Sequence, residues 1–214
     1  MHTKSYRRRT PVIRIVNAFL TGVMLLFPFP GLAGALDPPI AAPLPMGPQV
    51  IHGPVDITTQ GANMTVHQHG PAAIVNWDYF GIAQGHGVHF QQPSSSAAIL
   101  NRVLGLDPSV INGVLEATGI VYLVNPQGIV FGRNATINVN ALIASTLNIT
   151  DPNFLAGKQI FSGDSTASIE NQGGLITAQD FVALLARNIR NVGHIEATSV
   201  TLGAAENITI DNVH

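Results

Sequence analysis

The sequence predicts an all-β fold, a solenoid of short stacked strands, on three observations. The first is the stretch from Gly119 to Thr150, which reads as brief strands and almost nothing else. Ile120 to Val124 are β-branched, aromatic or aliphatic, and Asn125-Pro126-Gln127-Gly128 stops them. Proline fixes φ and removes a donor, asparagine bonds its own backbone and glycine permits positive φ, so the tetrapeptide is a turn. Ile129 to Phe131 resume, Gly132 to Asn134 turn again, Thr136 to Val139 alternate, and Ala141 to Ile149 are small and apolar. Such close spacing suits neither helices nor βαβ units. The second observation is an echo: Asn171-Gln172-Gly173 returns as Asn191-Val192-Gly193. Leu175 is matched to Ile195, Ala178 to Ala197 and Leu184 to Leu202, a period near twenty residues, as one coil of a β-solenoid requires. The third is composition. Only 10% of the 214 residues are charged, against about 25% on average, and there are 21 glycines and 14 prolines.

Taken in order, the chain opens with a targeting segment. Lys4, Arg7, Arg8, Arg9 and Arg14 form a basic region and Ala18 to Phe27 an apolar core. Pro28 and Pro30 break that core, and Ala33-Gly34-Ala35 supplies a small-x-small cleavage pattern. This is a signal peptide, cut after Ala35; the apolar run is shorter than the roughly 20 residues of a membrane anchor. Its removal leaves five basic residues against twelve acidic ones, a net charge of −7 before histidine. The remaining cations (Arg102, Arg133, Lys158, Arg187, Arg190) form no cluster, which argues against nucleic acid as a partner. Cysteine is absent, so no disulfide locks the fold before export, and no thiolate serves as nucleophile or ligand.

Residues 36–48 carry five prolines and read as an extended leader, with order beginning near Gln49. Val50, Val55, Ile57, Met64 and Val66 mark the first strands, punctuated by Gly53-Pro54 and Gly61; Ala72 to Asn76 is another, ending at Trp77. Asp107-Pro108-Ser109 reads as the cap of a short helical turn before Gly113. In a coil stack the inward positions are aliphatic and the outward ones polar, while asparagine and threonine, as in Asn134 to Asn140, bond backbone at the corners.

Several stretches resemble one family. VYLVNPQGIVFG followed by ALIASTLNI is similar to the amino-terminal secretion domain of the filamentous haemagglutinin family, the large exoproteins of two-partner secretion, and most of all to its adhesin branch. Asn76, Trp77, Phe80, Ile82, Val88, Phe90 and Gln91 occupy the places of a second family segment, and Asn101-Arg102-Val103 those of a third. The family usually has Asn-Pro-Asn-Gly where this chain has Gln127. The resemblance runs from Gln49 to the end. It implies a right-handed single-stranded parallel β-helix, with short extra-helical strands near the N-terminal cap, acting as the secretion (haemagglutination activity) domain. The implied partner is an outer-membrane β-barrel transporter with periplasmic recognition domains, and the implied location the cell surface or medium. It makes Asn125, Pro126, Gln127 and Gly128 the signature turn for transporter recognition, with Asn76, Trp77 and Asn101 secondary. The end of the chain in strand-like residues 207–211 fits a fragment of a longer adhesin, whose host-surface ligand belongs to downstream repeats.

Other chemistry is weighed against that expectation. His67 and His69 alternate on one strand face, and His86 and His89 sit in a glycine-rich turn, the residue type of a metal site. No carboxylate accompanies either pair at ligand spacing along the chain, so no metal and no cofactor are expected. A free-standing secreted β-helix that binds or cleaves polysaccharide is the alternative function. Glycoside hydrolysis needs two placed carboxylates, and the acidic residues are scattered singly, so the expectation is not an enzyme. Asn63, Asn134, Asn148 and Asn207 head Asn-x-Thr triplets, which read as structural corner residues before glycosylation sites.

Overall fold

The computed structural model describes residues 42–209. The signal peptide, its cleavage at Ala35 and the first part of the leader lie outside the described residues. The fold is a parallel β-solenoid. Strands Ala72–Trp77, Ala98–Val103, Ile120–Val124, Ala141–Ser145, Phe181–Leu185 and Ser199–Gly203 stack in parallel as one wall. A four-stranded sheet from Ser109–Ile111 to Asn188–Asn191 and a seven-stranded sheet from Val55–Gln60 to His194–Glu196 form the other two. Extra strands cap the N-terminal end: Gln49–His52 lies antiparallel on Ala72–Trp77, and Val55–Gln60 antiparallel on Asn63–Gln68.

Stacked identical positions give the chain its core. Ile99, Val121, Leu142 and Val182 are in register, as are Leu115, Ile137 and Ile176 in the opposite wall, all fully buried. The middle strands of the first wall are buried on both faces and are accordingly apolar almost throughout. Its outward ladder of Ile74, Leu100, Tyr122, Ile143 and Ala183 is covered by an insertion between Ser145 and Ser168. That insertion holds Asn148–Ile149, the helix Asp151–Leu155 and Ile160–Ser162, which pairs with both Asn148–Ile149 and Asn207–Thr209. Phe154 and Phe161 flank Tyr122, edge-on at 5.1 Å and stacked at 6.5 Å between ring centroids. Thr150 caps the helix by accepting from the Asn153 N–H.

Three sequence expectations are corrected. Ser109–Ile111 is a strand in place of a helical turn, because it pairs in parallel with Ile129–Phe131 and this ladder outweighs the local cap. Leu44 and Pro45 are buried, where an extended leader is expected. Met46 bridges Tyr79, and the Pro43 carbonyl accepts from the Ala83 N–H, since prolines lack donors but keep acceptors. In the repeat, Leu175 pairs with His194 and Ile176 with Ile195, one residue off the expected match. The corner after Asn191 is one residue shorter than that after Asn171, which brings the inward isoleucines into line.

Candidate functional site

Residues 125–128 form a built corner, and the first of them is inside. Strand Ile120–Val124 delivers Asn125, fully buried, and its backbone N–H donates to the Ser145 carbonyl of the next coil at 2.9 Å. Its side-chain Nδ2 donates to the Asp107 carbonyl and to Ser109 Oγ of the preceding coil, each at 3.0 Å. Its Oδ1 accepts from the Gln127 N–H at 2.9 Å, an Asx turn, while the Gly128 N–H donates to the Asn125 carbonyl at 3.1 Å. One side chain thus closes its own turn and pins the neighbouring coil. Gly128 sits at φ +114°, where an L side chain is strained, so the glycine is required. Pro126 and Gln127 are exposed, and the Pro126 carbonyl accepts from Ser165 Oγ at 2.6 Å, tying the corner to the end of the insertion.

Trp77 and Asn101 come together well away from solvent. Asn101 occupies an inward position between Val75 and Leu123 in the stack, where every other residue of the ladder is aliphatic. Its Oδ1 accepts from Trp77 Nε1–H at 3.0 Å and its Nδ2 donates to the Tyr122 carbonyl at 3.2 Å. Trp77 packs edge-on against Phe80 at 5.5 Å, and Phe80 stacks on Phe90 at 6.5 Å, so the second family segment is one aromatic cluster filling the first coils. Asn76 is half-buried on the opposite side of its strand and accepts from Arg102 Nη1 at 3.4 Å.

Arg102 holds the insertion in place. Its guanidinium donates to the Ile149 carbonyl and Asp151 Oδ1 at 2.7 Å each, and to Asn148 Oδ1 at 3.0 Å. This clamps the insertion onto the outer face of the wall. Its signal in the sequence was faint: a lone cation inside an apolar strand.

The outward face of the seven-stranded sheet is polar. Thr65, His89, Glu116, Asn138 and Thr177 stand in register across five strands. The first four of these line an open groove of about 580 Å³ with Asn63 and Gln179. His89 Nδ1 lies 3.0 Å from Glu116 Oε2. Glu116 is the one carboxylate lining the groove, whereas glycoside hydrolysis works with two. Spacing along the chain places no carboxylate beside the histidine pairs, but the fold does: the first hairpin sets Asp56 opposite His67, and strand pairing brings Glu116 to His89. Sequence spacing hides both because they are cross-strand neighbours.

The comparisons agree with this architecture. The TPS secretion domain family matches residues 42–213. A heme/hemopexin-binding protein of Haemophilus influenzae is 34% identical over 180 residues, covering 79% of this chain and 20% of that protein. A second such protein of the same species is 39% identical over 106 residues, 49% of this chain and 11% of its own length. The chain therefore spans a fifth or less of the relatives it matches. The crystal structure of the HMW1 secretion domain from Haemophilus influenzae superposes with a TM-score of 0.73 at 34% identity, over 78% of this chain and 46% of that one. With its solenoid and a family match across most of its length, the chain belongs to the two-partner secretion (TPS) secretion domains of exoproteins.

Proposed function

We propose that this domain directs a longer exoprotein to an outer-membrane β-barrel transporter, delivering it to the cell surface or medium, and then nucleates solenoid folding outside. The observation that carries this reading is the division of the motif. Asn125, Trp77 and Asn101 are buried and bonded in the folded domain, while only Pro126 and Gln127 of the signature turn face solvent. Buried groups are available to a partner only while the chain is extended, before the coil closes. Recognition by the periplasmic domains of the transporter is therefore of unfolded chain, by strand addition, with backbone hydrogen bonds supplying affinity and alternate side chains supplying selectivity. The absence of cysteine suits this, since no cross-link resists threading.

Once outside, the same side chains switch to their structural work. Strands Asn188–Asn191, His194–Glu196 and Ser199–Gly203 each end their sheet among the described residues, and Val192, Val200 and Leu202 are exposed there. Such edges offer unpaired N–H and C=O groups and apolar surface to a following coil, so each coil templates the next. The test is binding of the periplasmic domains of a cognate transporter to the chain held in urea and rapidly diluted, against chain folded beforehand. Capture of the diluted chain with at least tenfold weaker capture of the folded one is expected. Equal capture of both would place recognition on the exposed surface of the finished solenoid.

A further inference from the structure

We propose that Asp56, His67 and His69 form a surface site for a divalent transition-metal ion of the Zn²⁺, Ni²⁺ or Cu²⁺ class. The three residues belong to the hairpin that caps the N-terminal end of the seven-stranded sheet. Val55–Gln60 turns through Gly61, at φ +58°, into Asn63–Gln68, and the antiparallel register sets Asp56 directly opposite His67. His69 follows two residues later, on the same face as His67, and its backbone N–H is held by the Pro54 carbonyl at 3.0 Å. Both histidines and the carboxylate are thus fixed by backbone pairing on adjacent chain segments.

The side chains already converge. His69 Nε2 lies 2.8 Å from Asp56 Oδ2, and the His67 and His69 rings stand 4.2 Å apart, tilted by 42°. One donor atom from each residue lies within 4.8 Å of the others. Around a tetrahedral ion with bonds of about 2.0–2.1 Å, donor atoms sit about 3.3 Å apart. The short pair opens slightly and the widest closes by no more than about 1.5 Å, a movement within the rotamer freedom of exposed side chains on a fixed backbone. Two imidazoles and one carboxylate are the donor set for zinc, nickel or copper; calcium and magnesium favour all-oxygen shells. Three protein ligands leave the fourth position for water or a second molecule. A bound ion also clips Val55–Gln60, the edge strand of its sheet, to its neighbour.

The experiment is calorimetric titration of the untagged full chain with ZnCl₂, with Cu²⁺ electron paramagnetic resonance as an independent readout of nitrogen ligation. The parent is expected to take up Zn²⁺ saturably and to show two-nitrogen coordination of Cu²⁺. The double variant His67→Asn/His69→Asn is expected to lose about tenfold or more in Zn²⁺ affinity and the two-nitrogen signal, with its β-sheet circular dichroism unchanged. His86→Asn, in a separate exposed turn, is expected to match the parent. No saturable Zn²⁺ uptake by the parent, or affinity in the double variant within twofold of it, would overturn the proposal.

Discussion

Replacing Asn125 by alanine removes three hydrogen bonds at one buried point: two donated by Nδ2 and one accepted by Oδ1. At a net of about 1 kcal/mol each they contribute about 3 kcal/mol. Ser109 Oγ, fully buried, then loses the amide that donates to it, which raises the expected cost to about 3–4 kcal/mol. That is a large share of the 5–15 kcal/mol typical of a domain. Ser109→Ala deletes one contact and is expected to cost about 1 kcal/mol, so the double variant should fall short of the summed singles by about that much. Asn125→Asp keeps the Asx turn but points a buried carboxylate at the Asp107 carbonyl, and should be no better than alanine. The assay is urea unfolding followed by far-ultraviolet circular dichroism, with secretion measured on the same variants. Asn125→Ala within 0.5 kcal/mol of the parent would refute the structural role, and with secretion also unchanged the turn would drop out of the account.

Three other outcomes follow from the geometry. Asn101→Ala leaves the Trp77 Nε1–H unpaired, removes a second bond to the Tyr122 carbonyl and should cost about 2 kcal/mol; Trp77 is the sole tryptophan, so fluorescence reports the loss directly. Arg102→Ala should cost about 2 kcal/mol, moderated because Asp151 is partly solvated, and should speed hydrogen exchange in the insertion at Ile149 and Phe161 ahead of the stacked walls. Burial pushes the Tyr122 phenol up to about 12 from an ordinary value of about 10, so between those pH values the native state holds a proton that the unfolded state has released. Stability should therefore fall by about 2–3 kcal/mol as pH rises through that window, and Tyr122→Phe should lose less; an equal loss in both would reject the assignment.

The sequence made the coil stack legible where local and global signals coincide. Ile120 to Val124 needs no context to be a strand, and Asn125-Pro126-Gln127-Gly128 no context to be a turn, because their dihedral preferences already agree with the fold. The twenty-residue echo was visible because stacking forces like residues into register, as with Asn171 on Asn191. Ser109 to Ile111 misled because its cap chemistry is local while its partner, Ile129–Phe131, lies a coil away. Asp56 and Glu116 escaped notice beside the histidines for the same reason: a sheet juxtaposes residues by register. The inward place of Asn101 was hidden because alternation gives the face of a residue only after its strand is assigned to a wall.

Export of the chain decides whether it works as a secretion domain. The full chain is expressed with its native N-terminus in a Gram-negative host, with and without a cognate two-partner outer-membrane transporter, and processed protein is measured in medium and periplasm. Release to the medium is expected only with the transporter, and reduced release for Asn125→Ala. Equal release without it, or periplasmic retention of a folded β-sheet protein in its presence, would contradict the account and favour a free-standing solenoid that binds polysaccharide.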